Sequence, residues 1–138
     1  MNIALYTGYF HDGGLDFIVQ KDNCLEIWME SCEITPENEI NDKIELSKNH
    51  SITGKLHIKN IKNILINDIP YSTLVKDYDC GLVLDLEIKN NLVLIFVEWV
   101  NFPPKDRVHI PEEIIIEGEN IYWENIPDLL ENPEKYAP

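Results

Sequence analysis

Residues 82–100 have the sequence LVLDLEIKNNLVLIFVEWV, in which two β-forming runs flank the pair Asn90-Asn91. Two turn-forming residues between alternating apolar runs are typical of an antiparallel hairpin. Because successive side chains of a strand point to opposite faces, a two-residue turn makes one face of this hairpin wholly apolar. The predicted cross-strand pairs are Leu84 with Val97, Leu86 with Ile95 and Ile88 with Val93.

A similar hairpin is predicted nearer the start of the chain, where LDFIVQ (15–20) and CLEIWMESC (24–32) flank residues 21–23. A three-residue turn aligns the apolar residues of the two runs, whereas a two-residue turn breaks the match. The predicted pairs are Leu15 with Met29, Phe17 with Ile27 and Val19 with Leu25. Both hairpins are therefore expected to turn one apolar face to the core.

The rest of the chain also favours strands. EIIIE (113–117) and IYWEN (121–125) predict a third hairpin around Gly118-Glu119, and residues 54–68 predict one or two further strands. Helix is expected only as one or two turns in 71–78 and one near 126–132, ended by Pro133, with loops at 33–43 and 101–113. We predict a single domain, 1–138, that is mainly β: an antiparallel β-sandwich or partly open barrel built from hairpins, with little helix.

The net charge is -14 over 138 residues. Such a charge disfavours nucleic acid and anionic membranes as partners and favours a cationic partner such as a basic protein, although it also simply serves solubility. Cys24, Cys32 and Cys80 form no CxxC pair, which indicates a reducing compartment. With no signal peptide pattern and no apolar run of about 20 residues, a cytoplasmic protein is expected.

The outward faces of the two hairpins are predicted to resemble each other. Asp16 lies across from Trp28 in one register, and Asp85 lies across from Phe96 in the other. Rings supply buried area and carboxylates pair with Lys and Arg, so these faces predict a surface for a basic protein partner. The predicted partner-binding residues are Asp16, Glu26, Trp28, Glu30, Asp85, Glu87, Phe96 and Glu98. The alternative is that a helix or loop covers the apolar residues and leaves only a rim of charge.

The stretch YFHDGGLD, residues 9–16, raises the question of a metal or catalytic corner. Residues 11–30 and 78–98 share a plan of His or Tyr, Asp, Gly, Leu-Asp, strand, turn and a strand ending in Glu. A structural turn explains such a repeat better than a catalytic His does. We therefore predict a chain reversal with an Asx-type hydrogen bond and a glycine at positive φ.

Catalytic and metal-binding patterns are not found. The four histidines lack metal-ligand spacing, and no phosphate loop or nucleophile motif is present, so we predict no catalytic residue, no metal and no cofactor. Paired carboxylates leave a small hydrolase or ligand-binding protein as the alternative. Residues 46–67 carry four lysines and no acid, which predicts a lysine-protected edge strand or a docking site for a second copy in a homodimer.

The segment FHDGGLDFIVQKDNCLEIWMES, residues 10–31, resembles a pattern in small bacterial proteins. In those proteins Phe-His-Asp and a small residue precede a hydrophobic strand, a polar turn and an alternating strand, and some are classed as immunity proteins of toxin systems. The resemblance implies a non-enzymatic cytoplasmic protein that neutralises a cognate toxin. The leading functional hypothesis is thus an acidic protein-binding module acting as an immunity protein against a basic bacterial toxin.

Overall fold

A computed structural model describes residues 2–35 and 44–138. Strands account for 52% of these described residues and helices for 9%. The described strands are β1 (Gly14–Lys21), β2 (Cys24–Glu30), β3 (Thr53–Ile66), β4 (Ile69–Tyr71), β5 (Cys80–Lys89), β6 (Leu92–Val100) and β7 (Ile110–Asn125). Two 3-10 helices at Ile3–Leu5 and Thr7–Phe10 precede them, and one short helix, α1 (Pro133–Tyr136), follows.

All of these strands belong to one antiparallel sheet. Its order is β2-β1-β5-β6-β7-β3-β4, and an additional pairing of β2 with β3 closes a ring of hydrogen bonds. The inward residues of the ring form the main core. It includes Leu15, Ile27, Ile58, Ile95 and Ile116, which are each 0% exposed. The predicted mainly β, antiparallel fold with little helix is confirmed.

The hairpin of β5 and β6 follows the predicted register near its turn. Lys89 pairs with Leu92 around Asn90-Asn91, Ile88 pairs with Val93, and Leu86 pairs with Ile95. Asn90 takes the left-handed conformation that such turns require. Beyond Asp85 the register shifts, because a bulge at Leu84 makes Val83 and not Leu84 the partner of Val97. The predicted Leu84–Val97 pair is therefore wrong.

The hairpin of β1 and β2 has a two-residue turn at Asp22-Asn23, so the predicted three-residue turn is wrong. A bulge at Asp16 takes up the extra residue: Leu15 pairs with Met29 as predicted, but Phe17 then pairs with Trp28. The expected pairs Phe17–Ile27 and Val19–Leu25, and the expected position of Asp16 opposite Trp28, are accordingly not found. A bulge and a longer turn shift the register by the same single residue.

The third hairpin is also wrong, because residues 110–125 form one continuous strand. Gly118 lies in the middle of β7, where a Cβ atom would come within 2.6 Å of Ile58 Cγ2 and 2.9 Å of the Lys59 carbonyl oxygen. This glycine therefore allows a close approach of β7 to β3 and does not form a turn. The strand begins at Ile110, so the loop predicted for 101–113 ends at residue 109.

The remaining expectations have mixed outcomes. Residues 54–66 form a single strand, as one of the two predictions had it, but residues 71–78 contain no helix. Pro133 begins α1, where proline is favoured, and does not end a helix over 126–132. In the predicted loop at 33–43, residues 33–35 have no regular structure and 36–43 lie outside the described residues. None of the helices within 2–35 and 44–138 has the length and apolar character needed to cross a bilayer.

Candidate functional site

The corner at residues 10–14 joins the two hairpins. Asp12 N donates to the Val83 carbonyl oxygen at 2.8 Å, and Val83 N donates to Gly13 O at 2.9 Å. His11 is exposed, and its Nδ1 donates to the carbonyl oxygen of Leu84, 2.6 Å away. Asp12 has φ 65°, whereas no described glycine has a positive φ, so the predicted glycine conformation is wrong. Gly13 is instead required by space, since a Cβ atom would lie 2.2 Å from Glu30 O.

The predicted surface on the first hairpin is covered by the end of the chain. Trp28 is only 3% exposed and packs against Ile126 and Leu129, with Leu130 and Tyr136 beside them. Trp28 therefore lies in a small second core and is not available on an open face. Of the two expectations for this face, the structure matches the one in which other parts of the chain cover it.

The polar groups beside Trp28 are paired within the chain. Trp28 Nε1 donates to Glu26 Oε1 at 3.0 Å, and Lys55 Nζ lies 2.5 Å from the same oxygen. Lys55 Nζ also donates to the Tyr136 carbonyl oxygen at 2.7 Å and lies 4.9 Å from the centroid of the Trp28 ring. The ammonium group of Lys55 neutralises Glu26 and holds the C-terminal segment.

Asp16 and Glu30 form a half-buried pair of carboxylates. Both come within 3.5 Å of the position that a Cβ atom on Gly14 would occupy. The pKa of Asp16 is raised to about 7, mainly by burial and also by the charge of Glu30, while Lys76 partly opposes the rise. Burial also raises the pKa of Glu30. In the described chain Asp16 Oδ2 is buried without a hydrogen-bond partner, so Asp16 can hold a proton near neutral pH.

Residues 72–79 close the gap between β1 and β5, which pair directly only at Gly14–Leu82 and Leu15–Gly81. The Gln20 amide holds this segment, since Nε2 donates to Ser72 O at 3.2 Å and Oε1 accepts from Leu74 N at 2.8 Å. Leu74 is 2% exposed and belongs to the main core. The segment therefore acts as part of the wall of the ring.

The predicted surface on the second hairpin is open. Phe96 is 41% exposed, and its neighbours in the sheet are Asp85 on β5 and Glu113 on β7. Strand alternation and register place further apolar and acidic residues on the same face. We define the acidic–aromatic face as Leu82, Asp85, Glu87, Leu94, Phe96, Glu98, Glu113 and Ile115.

Two carboxylates of this face have a basic neighbour. His109 Nδ1 lies 2.7 Å from Glu98 Oε1, and Lys89 Nζ lies 2.7 Å from Glu87 Oε1. Across residues 2–35 and 44–138, no ion pair involves Asp85 or Glu113. The centre of the face is thus an exposed ring between two carboxylates without a compensating cation.

The structure divides the predicted site residues into three groups. Asp85, Glu87, Phe96 and Glu98 lie together on the acidic–aromatic face, Glu26 and Trp28 are engaged beneath the C-terminal segment, and Asp16 and Glu30 form the carboxylate pair. Sequence reasoning missed Glu113 because a loop was expected over residues 101–113, where β7 already begins at Ile110. The alternation in IPEEIIIE, residues 110–117, is the signal that would place Glu113 outward beside Ile115.

The lysines of residues 46–67 also contact their own chain. Lys48 lies 3.8 Å from Glu131, Lys62 lies 3.7 Å from Glu119, and Lys59 lies over the Tyr122 ring. The strand that carries most of them, β3, pairs with β2 and β7. The prediction of a lysine-protected edge strand is therefore wrong, while the homodimer stays a prediction.

Three grooves of about 260, 360 and 390 Å³ lie along β1, and neither Asp16 nor Glu30 lines them. In the part of the chain that the structure describes, no three His, Cys, Asp or Glu side chains are grouped as metal ligands. Comparison with protein families, with curated proteins and with solved structures finds no match for this chain. The acidic–aromatic face and the Asp16–Glu30 carboxylate pair are the two candidate functional sites.

Proposed function

We propose that this chain is an acidic protein-binding module, and that it serves in the bacterial cytoplasm as an immunity protein that neutralises a basic toxin. The observation that carries the proposal is the exposed Phe96 ring between Asp85 and Glu113. An aromatic residue at the centre of an interface supplies desolvated area, and surrounding carboxylates select a basic surface.

The charge of the whole chain supports the same partner. A net charge of -14 accelerates the approach of a basic protein and repels nucleic acid. Toxins that cleave nucleic acid need a basic surface for their substrate, and an acidic inhibitor can occupy that surface in its place. The resemblance of residues 10–31 to proteins classed as immunity proteins points the same way.

The proposal is tested with the toxin candidate that the neighbouring gene encodes. Co-expression of the two proteins should restore growth that the toxin alone abolishes. In binding kinetics, the triple variant Asp85→Asn, Glu98→Gln, Glu113→Gln should associate more slowly and with a weaker salt dependence, because surface charges act mainly on the encounter rate.

The matched control is the triple variant Glu119→Gln, Glu124→Gln, Glu131→Gln, which removes the same number of charges outside the face. It should change the association rate much less. Failure to protect cells from any basic toxin candidate, or equal kinetics of the two triple variants, would contradict the proposal.

A second candidate function, a small hydrolase or ligand-binding protein, is favoured by the Asp16–Glu30 pair. A carboxylic acid that stays protonated near neutral pH beside a second carboxylate is the arrangement that acid–base hydrolysis uses. Its test is turnover of glycosides and esters. Activity that Asp16→Asn abolishes and the exposed-site control Asp85→Asn retains would establish it, and absence of such activity would dismiss it.

A further inference from the structure

The two hairpins repeat each other around their bulges. In β1 and β2 the bulge at Asp16 is followed by the pair Phe17–Trp28, and in β5 and β6 the bulge at Leu84 is followed by the pair Asp85–Phe96. When the two hairpins are aligned at their bulges, Trp28 corresponds to Phe96. The same match places Glu30, the partner of Gly14, on Glu98, the partner of Leu82. The two aromatic residues therefore have equivalent positions in the sheet.

The two hairpins differ in the strand that flanks them, which is β3 beside β2 and β7 beside β6. Below, β1, β2 and β3 are the first half of the sheet, and β5, β6 and β7 are the second half. On β3 the residue paired with Trp28 is Lys55, whereas on β7 the residue paired with Phe96 is Glu113. In the first half the chain thus supplies a cation beside its aromatic ring. In the second half it supplies a carboxylate at the equivalent position.

In the first half, the aromatic ring has a cation over it and apolar residues that cover it. Lys55 Nζ lies over the Trp28 ring and pairs with Glu26, while Ile126 and Leu129 cover the ring, which is 3% exposed. Within residues 2–35 and 44–138, Phe96, at the equivalent position, has neither a cation over its ring nor an apolar cover, and it is 41% exposed. The contacts that Trp28 makes with its own chain are thus open at Phe96 to another molecule.

We propose that the toxin partner places one Lys or Arg side chain over Phe96, between Asp85 and Glu113, with aliphatic neighbours of that residue packed on Leu94 and Ile115. This inference rests on the proposed function and specifies the partner's contact. A cation over an aromatic ring is attracted by its electron-rich face, and carboxylates on both sides strengthen the hold on the cation. The partner's anchor takes the place that Lys55 and the C-terminal segment take on Trp28.

The deciding variant is Glu113→Lys, which gives the second half the cation that the first half already has. A lysine there should occupy the Phe96 ring from within and exclude the partner's cation. Glu113→Gln removes the charge without adding a cation and serves as the milder variant. Glu33→Lys makes the same change of charge at an exposed position outside the face and is the matched control.

The probe is a short synthetic peptide of alternating leucine and arginine, together with a twin in which citrulline replaces each arginine. Citrulline keeps the shape of arginine and removes its charge. Amide chemical shifts of the isotope-labelled full chain are followed during titration with each peptide. Thermal melts of every variant establish that it is folded.

The arginine peptide should shift the amide resonances of Asp85, Phe96 and Glu113. The citrulline twin should bind at least about tenfold more weakly than the arginine peptide. Glu113→Lys and Phe96→Ala should each weaken the arginine peptide by about tenfold or more, while Glu33→Lys should change it by no more than about twofold. Glu113→Gln should fall between these limits.

Equal weakening by Glu113→Lys and Glu33→Lys would overturn the anchor, because the attraction would then be general charge alone. Equal affinity of the two peptides would overturn it in favour of purely apolar docking. Shifts at Phe96 that grow with protein concentration without peptide would identify a second copy as the occupant and also overturn it. If a toxin binds and Glu113→Lys leaves its affinity unchanged, the anchor is wrong while the proposed function stands.

Discussion

The ammonium nitrogen of Lys55 lies 2.5 Å from a carboxylate oxygen of Glu26, and the two side chains are only 9% and 19% exposed. Both charges have been removed from most of their water, so each depends on the other. The pair also ties β3 to the C-terminal segment, since the same ammonium group donates to the Tyr136 carbonyl oxygen. The acid and the base together fix the cover over Trp28.

Removal of one member of this pair should therefore be costly. Lys55→Met should lower the free energy of unfolding by about 3 kcal/mol, because it leaves Glu26 largely buried without its cation. The double variant Lys55→Met, Glu26→Gln should lose less than the sum of the two single variants. Urea unfolding measures all three. The control Lys62→Met breaks a half-exposed pair and should cost less than about 1 kcal/mol. Equal losses for Lys55→Met and Lys62→Met would show that the buried pair is not special.

Asp16 should make stability depend on pH. Its pKa in the fold, about 7, exceeds the ordinary value of 3.8, so the folded state binds this proton more tightly than the unfolded state does. Ionising Asp16 lowers the free energy of unfolding. This loss is absent below pH 3.8, grows as the pH rises towards about 7 and is complete above that pH. Glu30, whose own pKa is raised, and the Cys80 thiol face the same group, while Lys76 partly offsets the cost.

Asp16→Asn removes that cost. The variant should exceed the wild-type free energy of unfolding by about 2–4 kcal/mol at about pH 8, and the gain should shrink towards zero at about pH 4. Denaturant unfolding at several pH values measures this difference. A gain from Asp16→Asn that is equal at both ends of the range would contradict the burial of this charge.

The hairpins β1–β2 and β5–β6 were accessible from sequence because their signals are local. Asn90-Asn91 joins two alternating runs, and the structure has the two-residue turn there. The bulges were not accessible, because alternation determines only which residues share a face. A bulge at Asp16 with a two-residue turn and no bulge with a three-residue turn both leave Leu15 opposite Met29. Next to the bulge β1 also pairs with β5, at Gly14 and Leu15, and a pairing between such distant segments has no signal in a local pattern.

The candidate site was accessible only in part, for the same reason. Alternation placed Phe96 and Asp85 together on an outward face, and the structure has them as neighbours. No local pattern shows that residues 126–136 lie on Trp28, or that Lys55 is buried beside it. Which of two similar faces is open is decided by packing between distant segments.

Gly13 should be the least replaceable position of the corner at residues 10–14. A Cβ atom there would lie 2.2 Å from the Glu30 carbonyl oxygen, so Gly13→Ala has to move the backbone of β1 or β2. We expect a loss of about 2–3 kcal/mol in the free energy of unfolding. Gly8→Ala is the matched control, because nothing lies within 4 Å of its Cβ position. His11→Ala should cost little, since the exposed ring makes its hydrogen bond at the surface. A Gly13→Ala variant as stable as Gly8→Ala would show that the corner has room to relax.

The Gln20 side chain should control the order of residues 72–79. Its amide forms one hydrogen bond as donor to Ser72 O and one as acceptor from Leu74 N, as a neighbouring strand would. Gln20→Ala removes both and should lower the free energy of unfolding by about 1–3 kcal/mol, since the Leu74 amide is left without its partner. Hydrogen exchange at Leu74 should accelerate more than exchange at Ile95 in the core, because the segment opens locally. Gln20→Glu keeps the acceptor for Leu74 and loses the donor to Ser72. Exchange at the Leu74 amide in this variant should therefore be faster than in the wild type and slower than in Gln20→Ala. If Gln20→Ala accelerates exchange equally at Leu74 and Ile95, the segment does not open separately from the ring.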